Sequence, residues 1–80
     1  MELQEFINNF AEQFDDIDAS TLNGSTNFKD LEDWNSLVAL SVIAMIDEEY
    51  DVEFRGDDIR GSNTVEDLYE IVETRVEELD

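Results

Sequence analysis

The chain has no cysteine, no proline and no histidine, only three glycines, and four basic residues against 23 acidic ones. Each shortage excludes something. Without cysteine there is no disulfide framework and no pointer to an oxidising compartment, so a cytoplasmic protein is expected. Without proline, and with glycine only at 24, 56 and 61, few positions are barred from helix, and no phosphate-cradling glycine pattern exists. Without histidine, a serine nucleophile lacks its usual base. A formal net charge of −19 excludes ordinary nucleic-acid binding, which needs cations to neutralise phosphates, and disfavours anionic lipid. The longest nearly apolar run, Leu37 to Ile46, is ten residues with one polar side chain, Ser41, against the roughly 20 that span a bilayer. The segment Met1-Glu2-Leu3-Gln4-Glu5 lacks the basic start of a signal peptide.

What is present suffices to fold. The 80 residues are 41% hydrophobic, with five Phe, two Tyr and one Trp, which argues against disorder and predicts one domain, 1–80, with a small core. Leu3, Phe6, Ile7, Phe10, Ala11 and Phe14 repeat at helical spacing opposite Glu2, Glu5, Asn9, Glu12 and Gln13, predicting an amphipathic helix of about 13 residues. From Asp15 to Asn35 no period is sustained, and a long loop is expected, pinned by Ile17, Leu22, Phe28 and Leu31. A second helix is predicted from Ser36 to Tyr50 with Asn35 as its N-cap. Its inward stripe reads as Leu37, Leu40, Ile43 and Ile46, which leaves Val38, Val42 and Met45 outside and some apolar surface exposed. A short helix near 57–60 follows. The last helix opens at Thr64-Val65-Glu66-Asp67, close to a capping box with Asp in place of Glu, and buries Val65, Leu68, Tyr69, Val72 and Val76. The expected fold is all-α: a small bundle of three long helices and one short one.

Catalysis is not expected. Ser36 has no base in reach, and solvated carboxylates on a small bundle seldom acquire the separated environments that acid–base work needs. The acidic clusters at Asp15, Asp16 and Asp18, and from Asp47 to Asp58, do not make a dedicated metal site. Counted from Asp16, an EF-hand loop would need Gly and Glu where Thr21 and Asn27 stand. Ser36 reads instead as an attachment point. It opens a helix, where free backbone N–H groups and the positive dipole end favour a phosphate. It follows a long loop, and the helix behind it is more apolar than one core face requires.

On these residues the chain resembles the acyl carrier protein family. Asn35-Ser36-Leu37 lies where that family has its Asp-Ser-Leu attachment motif. Leu37 to Phe54, and within it Ile46-Asp47-Glu48-Glu49-Tyr50-Asp51-Val52-Glu53-Phe54, matches the family's apolar helix and the acidic-apolar segment behind it. Thr64-Val65-Glu66-Asp67 matches the start of the family's last helix. The resemblance implies an all-α acyl-carrier-like bundle that is not an enzyme, with 4′-phosphopantetheine from coenzyme A attached covalently to Ser36 and acyl groups borne on its thiol. The implied partners are a phosphopantetheinyl transferase and the acyl-handling enzymes of fatty acid or related lipid and polyketide synthesis. They would dock basic surfaces on Asn35, Leu37, Val38, Leu40, Ser41, Asp47 and Glu48 of a monomer.

Two departures stand out. Asn35 replaces the family's aspartate, which keeps the cap but removes a carboxylate from the point of loading. Val38, Ala39 and Ser41 take places often acidic in the family, which makes the expected contact near Ser36 more hydrophobic. Two other readings stay open: an aminoacyl or peptidyl carrier with the same attachment chemistry, and an acidic interaction module with no prosthetic group, which leaves Ser36 and the apolar second helix unexplained.

Overall fold

Phe6, Ile7, Phe10 and Ala11 form the buried face of α1 (Leu3–Ala11) in a computed structural model that describes residues 2–79. Met1 and Asp80, the two ends of the expected 1–80 span, lie outside the described residues. Helix α1 is nine residues long, shorter than its periodicity predicts. After Glu12 the bonding tightens to i→i−3, with the Gln13 and Phe14 amides donating to Phe10 and Ala11 carbonyls at 3.1 Å. Phe14 is therefore still buried, and the apolar period outlasts the helix.

Between α1 and the next long helix, two 3₁₀ turns, Ala19–Thr21 and Phe28–Asp30, interrupt the expected loop. Each is started by a side chain that accepts the amide two residues on: Asp18 from Ser20 at 2.9 Å and Asn27 from Lys29 at 3.0 Å. These short local bonds are what Asp and Asn offer in place of a helix. Leu22 and Phe28 are buried beneath the segment, with Ile17 and Leu31 packed at the core's edge.

Helix α2 (Ser36–Tyr50) has the predicted bounds and the predicted cap, Asn35, whose side-chain oxygen accepts from the Val38 amide at 3.0 Å. Ile46 and Ile43 face the core as expected, but Leu37 and Leu40 do not, and Val38, Val42 and Met45 take their place. Val42, Met45 and Ile46 are buried, Val38, Ala39 and Ile43 pack at the core's edge, and Leu37 and Leu40 stand 76% and 63% exposed. The helix is apolar on both sides, so two stripes satisfy the same period. The stripe that packs against α1 and the last helix is the one with Val42, Met45 and Ile46. Asp51 stops the helix in the left-handed region at φ 55°.

Helix α3 (Gly56–Arg60) and helix α4 (Val65–Leu79) complete the bundle, and no strand occurs among the described residues. The capping box before α4 is present. The Asp67 amide donates to Thr64 Oγ1 at 3.2 Å, and Asp67 Oδ2 accepts from the Asn63 and Thr64 amides at 3.0 and 3.1 Å. Those backbone bonds hold the Asp67 carboxyl below its usual range. The remaining amides at this start reach back to the loop before α2. Val65 donates to the Thr26 carbonyl at 3.1 Å and Glu66 to the Gly24 carbonyl at 2.9 Å, beside an isolated bridge between Asn27 and Thr64. A Cβ on Gly24 would fall 2.9 Å from Glu66 Oε2, the free end of an exposed side chain, and 3.3 Å from Glu66 Cβ and Leu3 Cδ2, which would have to give by a few tenths of an ångström. Val65, Leu68 and Val72 of α4 are buried, with Tyr69 and Val76 partly so.

Candidate functional site

Ser36 is the first residue of α2 and is exposed. The local sequence produces this placement. Asn35 has extended backbone (φ −156°, ψ −179°), so the chain arrives across the helix axis. Its side-chain amide is used twice: Oδ1 accepts from Val38, and Nδ2 donates to the Asp33 carbonyl at 3.2 Å. The approach on the other side is fixed by Trp34, whose ring meets Phe28 edge-on at 4.8 Å and lies 6.4 and 6.3 Å from Phe10 and Phe14. Such aromatic packing adds about 0.5–1.5 kcal/mol per pair beyond area burial. Ser36 is thus a solvent-facing hydroxyl that follows two anchored residues, Trp34 and Asn35.

A groove of about 530 Å³ opens beside Ser36 and is lined by Trp34, Ala39, Leu40, Ile43 and Ile59, with Lys29, Asn35, Gly56 and Arg60 at its other sides. Its walls are α2 and α3. Helix α3 is only five residues long, too short to hold itself in water. It is held by Asp58, which accepts from Arg75 Nη1 and Nη2 of α4 at 2.7 and 2.8 Å and from the Arg55 amide at 2.9 Å. Arg75 also donates to the Glu53 carbonyl at 2.9 Å and lies over the Phe54 ring. The Arg75 guanidinium, ahead of the Arg55 amide bond, holds the Asp58 carboxyl below its usual value. Ile59, buried on α3, closes the groove's floor.

Along α2 the exposed residues Leu37, Leu40, Ser41, Ala44, Asp47 and Glu48 recur at three- and four-residue spacing, so they share one outward face with Ser36 at its start. Apolar contact thus lies near Ser36, and the carboxylates lie about three turns away. Of the expected contact residues, Asn35, Leu37, Leu40, Ser41, Asp47 and Glu48 lie on the exposed surface. Val38 does not: it is half-buried against the core, and its placement outside the core stripe is corrected. The second wall of the groove, from Gly56 to Arg60, and Lys29 were not read from the sequence as site residues. Their one signal there is that Lys29 and Arg60 are two of only four basic residues.

The family model described as phosphopantetheine attachment site matches residues 4–72. The chain belongs to that family. It is accordingly a phosphopantetheine-bearing carrier, and the all-α bundle of four helices agrees with that membership. Comparison with curated proteins and with solved structures finds no match. Carrier domains of the phosphopantetheine attachment site family are modified by a phosphopantetheinyl transferase and interact with acyl-handling enzymes. The residues around Ser36 fit the covalent group on two observations. The hydroxyl is exposed at a helix start, where unpaired amides favour a phosphate, and an apolar-floored groove begins beside it. When bound, the group supplies a thiol on a flexible arm to a chain that has no cysteine of its own. No described helix is long and apolar enough to cross a membrane.

Proposed function

We propose that residues 1–80 act as one cytoplasmic carrier domain whose attachment residue is Ser36, and that its cargo is an acyl group held as a thioester for fatty acid or related lipid and polyketide synthesis. The observation that carries this reading is the exposed Ser36 hydroxyl at the first position of α2, at the mouth of the groove between α2 and α3. Loading needs the hydroxyl to give its proton to a base on the transferase, since this chain has no histidine. The oxygen then forms its ester bond to the β-phosphorus of coenzyme A as the bond to the adenosine-side phosphate breaks and 3′,5′-ADP leaves. The protein's own part is to hold that oxygen outward, through the Asn35 cap and the Trp34 anchor, and to present a docking face. Leu37, Leu40 and Ser41 supply contact beside Ser36, while Asp47 and Glu48 supply charge for a basic partner surface, which speeds encounter more than it adds affinity. Carriage, not catalysis, is the role: a tethered cargo reaches several enzymes at high effective concentration.

Intact-mass measurement after incubation with coenzyme A and a broad-specificity transferase tests this reading. Wild type should gain one phosphopantetheinyl mass and Ser36→Ala none. Gain persisting in Ser36→Ala, on Ser25 or Ser62 for instance, refutes the assignment. Ser62 is already an unpromising acceptor, being buried with its hydroxyl donating to the Asp58 carbonyl at 2.8 Å.

A further inference from the structure

The four basic residues are not used alike. Arg55 pairs with Glu53, Arg60 with Asp57 and Arg75 with Asp58. Lys29 alone has no carboxylate partner among the described residues, in a chain with 23 carboxylates. Its ammonium is fixed by other means. It donates to the Arg60 carbonyl at 2.9 Å and lies 5.9 Å from the centre of the Phe28 ring. An ammonium has three donors, so this arrangement leaves two of them for a ligand. Lys29 and Arg60 are also the only basic residues lining the groove that starts at Ser36. Elsewhere the surface repels anions. Here an apolar floor of Trp34, Ala39, Ile43 and Ile59 meets a cationic edge.

We propose that Lys29, backed by Arg60, is an anion-binding edge that receives an anionic oxygen of the group tethered at Ser36. That oxygen belongs either to the phosphodiester at the near end of the arm or to a carboxylate at the far end of a carried acyl chain. The inference rests on Ser36 being the attachment residue. Loading adds negative charge to a chain already at −19, and Asp30, Glu32 and Asp33 all lie within six residues of Ser36 in the sequence. A fixed, unpaired ammonium relieves the repulsion at the point where the charge arrives. Such an edge also sorts cargo: an acyl group with a terminal carboxylate would be held in the groove in preference to one of equal length with a methyl end.

The test uses the full chain as wild type, Lys29→Gln and Lys29→Arg, each prepared apo, holo, and loaded with a pentanoyl or a glutaryl group. Intact mass comes first. Loss of the mass gain in all three proteins, or its persistence in Ser36→Ala, overturns the attachment reading and this inference with it. With loading in hand, the melting temperature of each loaded form is compared with that of its own apo form at low salt, which cancels any effect of the substitution on the unloaded fold. Emission of Trp34, the one tryptophan, reports on the groove. Relative to wild type, loading of Lys29→Gln should lower the melting temperature by about 2–4 °C more, the size expected of one exposed ion pair in a domain this small. Lys29→Arg should restore the wild-type response, and added salt should erase the difference. If holo, pentanoyl and glutaryl forms all show it, the anion is the phosphodiester. If the glutaryl form alone shows it, with a Trp34 shift, the anion is the cargo's carboxylate. Identical loading responses in wild type and Lys29→Gln, with Ser36 loaded, overturn the inference and leave the attachment reading intact.

Discussion

Asp58→Asn removes the charge that fixes α3, and the structure sets the size of the effect. The carboxylate accepts two bonds from Arg75 and one from the Arg55 amide, all at 2.7 to 2.9 Å. A hydrogen bond to a charged group contributes about 1.5–3 kcal/mol. That range must be discounted, because the Asp58 and Arg75 side chains are 19% and 35% exposed and water replaces part of what is lost. Asparagine also keeps one acceptor oxygen. The net loss should be about 2 kcal/mol, which in a domain of this size lowers the melting temperature by about 8–16 °C. Circular dichroism gives the melting curve, and Trp34 emission shows whether the groove loosens with α3. The pH dependence makes the expectation sharper. Because Arg75 holds the folded Asp58 carboxyl below its usual value of 3.8, its contribution is complete above that value and disappears as pH falls through the lower folded one. Repulsion among the other carboxylates runs the opposite way, easing as they protonate, but it is common to both proteins and cancels in their difference. The gap between wild type and Asp58→Asn should therefore be level from pH 7 to about 5 and close below about 4. A melting temperature within about 2 °C of wild type at neutral pH, or a gap that persists undiminished at about pH 3, would refute this account of what holds α3.

Val38→Asp should unfold or strongly destabilise the bundle, by about 2 kcal/mol or more, because a carboxylate would enter the half-buried edge of the core; Leu40→Asp should leave melting unchanged and weaken transferase binding. Equal melting of the two variants would contradict the α2 orientation. Asn35→Asp should preserve the fold, since both residues cap equally well, and speed loading by the transferase. A rate equal to or below that of wild type would show that the cap residue does not limit modification. Reversing Asp47 and Glu48 to lysine together should reduce transferase association several-fold at low salt and much less at high salt. A salt-independent loss would point to direct contact in place of steering.

The features legible in the sequence are the ones encoded by neighbours. The cap at Asn35, the bounds of α2 and the Thr64–Asp67 box each depend on side chains within three residues of the backbone groups they satisfy. The orientation of α2 was not legible, because Leu37 and Leu40 match the helical period as well as Val38 and Val42 do. Only the position of α1 and α4 decides between them. The two 3₁₀ turns escaped for a related reason: Asp18 and Asn27 start them through single local bonds that leave no periodic trace. Ser36 was legible as the first residue of α2, but the groove beside it was not. That groove needs Lys29, Trp34, α2 and α3 together, and the bond from Lys29 to Arg60 joins residues 31 positions apart in the chain.

The carbonyls of Gly24 and Thr26 that receive the first amides of α4 tie assembly of the site to synthesis of the chain. The loop before α2 gains these two backbone bonds only when Val65 and Glu66 have been made, and α3 gains its clamp only with Arg75. On a ribosome, Ser36 is made 29 residues before Val65 and 39 before Arg75. A nascent chain therefore has the serine before it has the second wall of the groove beside it. A chain that fails to dock α4 lacks the Arg75 clamp on α3, and with it a firm second wall for the groove beside Ser36.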